Sequence, residues 1–347
     1  MRMIRASSPT KAIIAGEHSV VYGGTALAVP LSNKKRCICE VREGSGSISV
    51  DDSAGIGKYL PDGSFEDADG WFAAKARLIE HILKSEKAGL EGHEISLTFS
   101  KNRIPKGTGH SAATAACMAL CLFEAFGRLP AKEKLFEAVQ AFEAVAHAGI
   151  PSGIDAQTVL SDRAVKFRKD FSQGGNAKPR FEEIALELPS GTSLLLVDTL
   201  LGGQSASTTA QMLEKFAAAK GIGKKPAEMA KGERRAVIKK FDEIVGKVEA
   251  ELFAGGNAQR LGMLLNENHA LLRENGVSSE GIDEAVRTAL QSGALGAKIS
   301  GAGGIGGAVL ALCQTVKVGG IIGSLEEIGM HGVRAEISTK GACLDPH

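Results

Sequence analysis

A glycine-rich run near the C-terminal end restricts the fold more than any other stretch of the sequence. Seven glycines fall between residues 293 and 307, and residues 301–306 fit the dinucleotide-binding pattern G-x-G-x-x-G. That fingerprint follows a strand and opens a helix, whereas residues 308–313 (AVLALC) are typical of a buried strand. The run therefore predicts a loop that either a ligand or another packed element approaches closely, because so many glycines cost backbone entropy.

Predicted strands and helices alternate along the chain without a strict βαβ repeat, which favours an α+β fold. A length of 347 residues indicates two domains, and we place them at 1–190 and 191–347. Residues 35–42 alternate as a strand, and residues 48–50 are its expected hairpin partner. The polar residues 173–180 predict a hairpin tip or loop. Short strands are expected at 12–15, 20–29, 93–100, 193–197, 307–313 and 333–338, and helices at 72–88, 111–126, 131–147, 206–219, 226–253, 258–274, 279–292 and 316–328.

The charge balance gives no support to nucleic-acid or membrane-surface binding, because 41 basic residues face 40 acidic ones. No apolar run approaches the roughly 20 residues that a membrane span requires, and the N-terminus has no signal-peptide pattern. The six cysteines form no CxxC pair, which argues against a zinc site or a disulfide framework. These features predict a cytoplasmic location.

The first stretch with residues suited to catalysis or binding is SPTK at 8–11, followed by GEHSVVYGG at 16–24. Lys11, Glu17 and His18 interrupt two apolar runs, and a buried strand pair would not tolerate them unless they faced a site. A surface turn punctuated by glycines is the alternative interpretation.

The second stretch is PKGTGHSAA at 105–113, between a predicted strand and a predicted helix. Glycines before a helix let backbone N–H groups approach phosphate oxygens, and the helix dipole favours the negative charge. The hydroxyl of Ser111 could cap the helix or bind Mg²⁺. A simple glycine turn with a serine cap would have the same local pattern.

The third stretch, GIPSGID at 149–155, presents one carboxylate from an irregular loop. A well-placed Asp155 could accept the proton of an attacking hydroxyl, although the same residue could simply cap a turn. Glu143 lies twelve residues upstream and could reach the same cleft. The sequence contains neither a Walker A motif nor the protein-kinase motif set, so those two kinds of phosphotransfer site are excluded.

These stretches, in this order, resemble the motifs of the GHMP kinases over about residues 5–340. The run GEHSVVYGG at 16–24 and PSGID at 151–155 are most similar to the corresponding motifs of the mevalonate kinases. The C-terminal run at 293–307, preceded by NENHALL at 266–272, is similar to the C-terminal motif of the family.

The resemblance implies a ribosomal S5 domain 2-like N-terminal domain and a ferredoxin-like C-terminal domain, with ATP and acceptor in the cleft between them. It implies transfer of the ATP γ-phosphoryl group to the primary hydroxyl of mevalonate, with Mg²⁺ as cofactor and no nucleic-acid or membrane partner. A homodimer is compatible with it.

The resemblance also assigns roles to residues at matching motif positions. Asp155 would be the catalytic base, and Lys11 would stabilise it and the transferring phosphoryl group. The substrate-binding residues would be Glu17, His18 and Thr208, and the metal-binding residues Ser111 and Glu143. The ATP-binding residues would be Lys106, Gly107, Thr108, Gly109, His110, Ser111, Gly301, Gly303 and Gly304.

The phosphate loop differs from the usual family pattern PxGxGLGSSAA, because it is two residues shorter and has His110 where serine is common. A shorter loop supplies fewer backbone N–H donors, and Lys106 and His110 are the nearest replacements. Two other functions stay open at this stage. One is a related kinase for another acceptor, such as phosphomevalonate or a sugar. The other is a nucleotide-binding pseudo-kinase, against which Lys11 and Asp155 argue.

Overall fold

The computed structural model describes residues 1–53, 55–66, 72–101, 104–147, 151–172, 178–201, 206–253 and 255–346. Residues 149 and 150 of the third stretch, and residues 173–177 of the predicted loop, lie outside this part of the chain. The strands are β1 Arg2–Ala15, β2 Thr25–Glu43, β3 Ser47–Asp52, β4 Gly55–Tyr59, β5 Phe65–Glu66, β6 His93–Phe99, β7 Ala164–Asp170, β8 Lys178–Ile184, β9 Thr192–Asp198, β10 Gly296–Ser300, β11 Ala308–Gln314, β12 His331–Ala335 and β13 Cys343–Leu344.

Most predicted helices are present within a few residues of their expected ends. The α-helices are α1 Ala73–Glu86, α2 His110–Ala125, α3 Lys132–Ala146, α4 Ile154–Leu160, α5 Thr209–Ala219, α6 Lys231–Phe253, α7 Ala258–Glu274, α8 Glu280–Gln291 and α9 Val318–Glu327. The helix predicted at 226–253 begins later, because a separate 3₁₀ turn covers Pro226–Glu228. In the part of the chain described above, no helix is both long and apolar enough to cross a bilayer.

The described strands form two sheets. The larger has nine strands, in the order β13-β1-β2-β6-β3-β4-β5, with β7 and β8 extending from β2. The smaller has four strands, in the order β10-β11-β9-β12. Strands β9 to β12 follow residue 190, whereas β13 returns to the larger sheet and pairs with β1. The domain division at residue 190 stays a prediction.

Two predicted strand arrangements are wrong. Residues 48–50 are not the hairpin partner of residues 35–42, because β3 pairs in parallel with β6 and antiparallel with β4. The strand expected at 12–15 is the end of the long strand β1, and of the strand expected at 20–29 only residues 25–29 belong to β2, because residues 19–22 form a 3₁₀ turn. The buried polar residues Ser7, Ser8, Thr10 and Lys11 in the middle of β1 hid its length.

The two sheets pack against each other through one apolar cluster. Ile14, Leu27 and Val29 of the larger sheet meet Leu196 and Leu310 of the smaller sheet in that cluster. The opposite face of the smaller sheet packs on α8 and α9. Since β1 lies in the contact between the sheets, polar groups near its end can reach both halves of the molecule.

Helix α7 lies unusually close to strand β10, and two glycines permit that approach. A Cβ atom at Gly262 would lie 2.4 Å from the carbonyl oxygen of Leu295, and one at Gly296 would lie 2.1 Å from the carbonyl oxygen of Gly262. Backbone meets backbone at both points, so no side-chain movement could make room. The position of β10, which carries the C-terminal glycine loop, therefore depends on this contact.

We predict opposite stability effects for the same substitution at two helical glycines. Gly246→Ala in α6 should raise the free energy of unfolding by about 0.5–1 kcal/mol, because a Cβ there meets no atom of the described residues within 4 Å. Gly262→Ala in α7 should lower it by at least about 1–3 kcal/mol through overpacking. Urea denaturation of both variants measures the two effects. Stabilisation by both would contradict the close contact of α7 with β10.

Candidate active site

The candidate site begins with an ion pair between the first strand and a short helix. Lys11 lies in β1 with its side chain 3% exposed, and its ammonium Nζ is 3.1 Å from Oδ1 of Asp155. Asp155 lies in the first turn of α4, and its side chain is 27% exposed. The pair therefore presents a partly open carboxylate backed by a buried cation.

The glycine loop before α2 wraps around the same lysine. Lys11 donates its backbone N–H to the carbonyl of Thr108 at 2.8 Å and its ammonium to the carbonyl of Gly107 at 3.2 Å. Gly109 has a φ of 70°, and a Cβ there would lie 2.7 Å from Cγ of Lys11. Gly109 precedes the first residue of α2, so the free N–H groups of the first helical turn start beside Lys11.

A second group of polar side chains lies at the start of α2 and the end of α3. Nε2 of His147 is 3.4 Å from Oγ of Ser111 and 3.3 Å from Oε2 of Glu143. Oε1 of Glu143 is buried and has no hydrogen-bond partner among the described residues. The hydrogen bond to Glu143 raises the pKa of His147, with Asp155 adding to the effect.

This group has the chemistry of a divalent-cation site, although it is not a preassembled cage. A hydroxyl oxygen and a carboxylate oxygen suit a hard cation such as Mg²⁺, which usually takes few protein ligands and completes its shell with water and phosphate. The unpartnered oxygen of Glu143 is an acceptor that such an ion would satisfy. Among the described residues, no cluster of three or more His, Cys, Asp or Glu side chains is suited to a metal.

The two residues expected to compensate for the short loop have different surroundings. Lys106 is exposed in the turn before Gly107. His110 lines a cavity of about 420 Å³ together with Asp52, Lys75 and other residues of α1, α2 and α3. Burial, with a contribution from Lys35, lowers the pKa of His110 to about 4, so the ring is neutral near pH 7.

Glu17 and His18 face inward from the turn after β1. The carboxylate of Glu17 accepts a hydrogen bond from the ammonium of Lys298, and both side chains are almost completely buried. Desolvation raises the pKa of Glu17 and lowers that of Lys298, and the opposite charge of each partner opposes the shift. The two charges are therefore held inside the protein mainly by each other.

His18 is held by one contact at the edge of its ring and one on a face of the ring. Nε2 lies 2.9 Å from the carbonyl oxygen of Ala302, and the ring stacks on Phe216 at a centroid distance of 5.5 Å. Burial lowers the pKa of His18 to about 4, so the neutral ring donates from Nε2 and Nδ1 is left as an acceptor. Nδ1 is buried and has no partner in the described part of the chain.

The C-terminal glycine loop packs against its neighbours and touches the loop before α2. A Cβ at Gly303 would lie 2.2 Å from the carbonyl oxygen of Val277, and one at Gly301 would lie 3.1 Å from that of Gly107. Gly304, at a φ of 73°, is pressed against Ser207 and Met212. Close packing accounts for Gly303 and Gly304, while Gly301 lies where the two glycine loops meet.

Thr208 acts as a helix cap. Its hydroxyl accepts a hydrogen bond from the backbone N–H of Gln211 at 3.2 Å, and the side chain of Gln211 accepts from the backbone N–H of Thr208. The capping-box pattern T-x-x-Q was visible in the sequence. A contact between Thr208 and substrate stays a prediction.

Sequence reasoning missed three residues of this region. Lys298, His147 and Phe216 contact Glu17, Glu143 and His18, respectively. A charged residue inside the apolar run before the C-terminal glycines was a usable signal for Lys298. His147 lies four residues after Glu143, a spacing that places both on one helical face. Nothing local in the sequence pointed to Phe216.

Family models match both halves of the chain. The model for the N-terminal domain of GHMP kinases matches residues 74–161, and the model for the C-terminal part of GHMP kinases matches residues 249–327. The N-terminal match contains Ser111, Glu143 and Asp155, and the C-terminal match contains the glycine loop.

Curated relatives and solved structures agree with these models. The chain is 27% identical to the mevalonate kinase of Aeropyrum pernix, covering 99% of each chain, and 28% identical to that of Pyrococcus furiosus, covering 95% of this chain and 98% of the relative. It is 25% identical to L. major mevalonate kinase, solved with R-mevalonate, at a TM-score of 0.76 and coverage of 97% and 96%. Lactococcus lactis galactokinase has a similar fold, with a TM-score of 0.72, 17% identity and coverage of 99% and 95%.

Three observations lead to one classification. Glycine loops lie at the start of α2 and after β10, a buried Lys11 pairs with Asp155, and both family models match. The kinase family also implies ATP as the co-substrate. This chain is a small-molecule kinase that belongs to the GHMP kinase superfamily and has its two-domain α+β fold.

Proposed function

We propose that this chain transfers the γ-phosphoryl group of ATP to the primary hydroxyl of mevalonate and uses Mg²⁺ as cofactor. The ion pair of Lys11 with Asp155, beside the glycine loop at the start of α2, carries the proposal. Similarity to mevalonate kinases over nearly the whole chain supports the choice of acceptor.

Asp155 has the exposure and the partner that a general base for this reaction needs. In the proposed step, its carboxylate accepts the proton of the acceptor hydroxyl while that oxygen bonds to the γ-phosphorus. The bond from this phosphorus to the bridging oxygen breaks, and ADP leaves. Lys11 keeps a positive charge between the carboxylate and the glycine loop, where negative charge develops on the transferred group.

The loop of residues 105–111 and the first turn of α2 would hold the ATP phosphates. The free N–H groups of that turn and the helix dipole both favour an anion. Lys106 contributes an exposed ammonium, and neutral His110 contributes one ring N–H, so both remain proposed replacements for the missing loop residues.

Ser111 and Glu143 would hold Mg²⁺ through oxygen atoms. When bound, the ion neutralises charge on the β- and γ-phosphate oxygens. Nε2 of His147 lies 3.4 Å from the hydroxyl of Ser111 and 3.3 Å from the carboxylate of Glu143, so both side chains contact the same ring.

Among the residues proposed to bind the phosphoryl acceptor, His18 has the most suitable geometry. Its Nδ1 is a buried hydrogen-bond acceptor without a partner among the described residues, and an alcohol hydroxyl would satisfy it. Glu17 and Thr208 remain proposed contacts, but Glu17 is paired with Lys298 and Thr208 with Gln211.

The charge around Glu17 bears on the choice between a phosphorylated and an unphosphorylated acceptor. A phosphorylated acceptor would call for an additional cation near Glu17 and His18. Lys298 is in that region, but its charge is compensated by Glu17 and its side chain is 0% exposed. This arrangement favours an acceptor without a phosphate group.

We predict that, among four acceptors, mevalonate gives the highest kcat/KM. A coupled assay of ADP release with mevalonate, phosphomevalonate, galactose and homoserine measures this directly. Asp155→Asn should lose roughly 10²–10⁴-fold in kcat with mevalonate while its ATP KM stays near that of the wild type.

Asp162→Asn is the matched control for that variant. The carboxylate of Asp162 is exposed and accepts a backbone hydrogen bond from Gly341, which the amide oxygen of Asn can replace. A kcat of Asp155→Asn within threefold of the wild type would remove Asp155 as the base. A higher kcat/KM for another acceptor would overturn the proposed substrate.

We predict that turnover disappears in EDTA and returns when Mg²⁺ is added. Ser111→Ala should raise the Mg²⁺ concentration for half-maximal activity roughly tenfold, because one polar contact to a charged group is worth about 1.5–3 kcal/mol. Ser324→Ala is the control, because Ser324 is a half-buried serine of α9 whose hydroxyl donates only to the carbonyl of Gly320 in its own helix. If the Mg²⁺ requirement of Ser111→Ala matches that of the wild type, Ser111 is not a ligand and its hydroxyl serves only the contact with His147.

We predict that buried His18 makes the protein less stable as the pH falls. The unfolded state takes up a proton near pH 6.5, whereas folded His18 does so only near pH 4, so acid favours unfolding between these values. Between pH 7 and pH 5 the wild type should lose about 2 kcal/mol more than His18→Gln. Urea denaturation at both pH values measures the difference. Equal losses would show that His18 titrates in the folded protein as it does in the unfolded chain.

A further inference from the structure

Lys298 is a completely buried cation whose contacts lie in the other half of the molecule. Its ammonium donates to the carboxylate of Glu17 and, at 3.2 Å, to the backbone carbonyl of Ile13. Ser300, two residues further along β10, accepts from the backbone N–H of Ile13 at 3.1 Å. Side chains two residues apart in a strand point to the same face. Two side chains on one face of β10 therefore form hydrogen bonds with the backbone of Ile13 in β1.

The strand held by these hydrogen bonds carries Lys11, and the turn after it carries His18. Lys11 precedes Ile13 by two residues, and His18 directly follows Glu17. His18 has a φ of 59°, which is uncommon for a residue with a side chain and persists only where the surroundings hold it. The backbone from residue 11 to residue 18 is therefore fixed at several points, and Lys298 supplies two of them.

The charge of Lys298 also separates two ion pairs. The carboxylate of Glu17 interacts with the ammonium groups of both Lys298 and Lys11, and Lys11 pairs with Asp155. Without the charge of Lys298, burial would favour the protonated form of Glu17, and its carboxylate could stay ionised only by drawing on Lys11, which Asp155 would then share.

A buried ion pair is weak evidence for stability, because apolar residues of the same volume often stabilise a protein equally well. The arrangement of this pair points to a different role. We propose that Lys298 is a positioning residue that ties residues 11–18 to β10 and keeps Lys11 paired with Asp155; the proposal rests on the proposed function.

The test compares Lys298→Met with the double variant Glu17→Gln/Lys298→Met. Lys298→Met should lower kcat about 100-fold, the effect of a small misplacement of reacting groups, and leave the ATP KM within about twofold. The double variant removes the competing carboxylate and should recover kcat by about tenfold, in line with coupling between contacting residues. It also covers the case in which Lys298→Met fails to fold, because it contains no unpaired buried charge.

Lys166→Met is the matched control. Lys166 of β7 binds both carboxylate oxygens of Glu249 in α6, at 2.7 and 2.9 Å, and so also joins the two halves through an ion pair. It lies outside the proposed site, so its loss should lower the thermal midpoint and leave kcat within twofold.

Backbone hydrogen exchange gives a second measurement that needs no acceptor. Peptides covering residues 11–18 should exchange at least about tenfold faster in Lys298→Met than in the wild type, and unchanged in Lys166→Met. A kcat of Lys298→Met within threefold of the wild type, or unchanged exchange in residues 11–18, would overturn the positioning role. If the wild type does not phosphorylate mevalonate, the proposed substrate fails, while the exchange experiment still tests Lys298.

Discussion

The antiparallel ladder between β1 and β2 supports the candidate site, because Lys11 lies within that ladder and Glu17 and His18 follow its end. Backbone pairing runs from Arg2 with Val41 to Ala15 with Leu27. Just beyond it, Gly16 adopts a φ of 97°, and a Cβ there would lie 2.0 Å from the carbonyl oxygen of Thr25. The chain can turn here only with glycine, and the turn directs the next two side chains toward the smaller sheet.

From that strand, contacts extend to three elements that are far apart in sequence. The loop before α2 closes around Lys11, α4 presents Asp155 to it, and β10 binds Ile13 and Glu17. Each element contributes a backbone or side-chain group whose position depends on the same strand. The two glycine loops can touch because backbone meets backbone where Gly301 approaches Gly107.

Local periodicity was enough to predict most helices, since their apolar positions repeat with the helical period. Helix α7 occupies the predicted residues 258–274. The parallel pairing of β3 with β6 was not predictable in this way, because it joins segments about 47 residues apart and has no local signal.

The candidate site shows the same division between local and non-local information. Short, distinctive sequence patterns identified Lys11, Gly109 and Asp155 as candidate site residues. Their burial and partners depend on the fold. The sequence left open whether Glu17 faces a site or lies in a surface turn, and in the structure it is buried because Lys298, 281 residues later, neutralises it.

The pairing of β13 with β1 gives the order of synthesis a physical consequence. Cys343 lies opposite Ser7, 336 positions earlier in the chain. While a ribosome makes the chain, the outer edge of β1 near residues 6 and 7 has no strand to pair with until residue 343 has emerged. Unpaired strand edges attract other chains, so this edge stays open to association with other molecules until the last strand has been made.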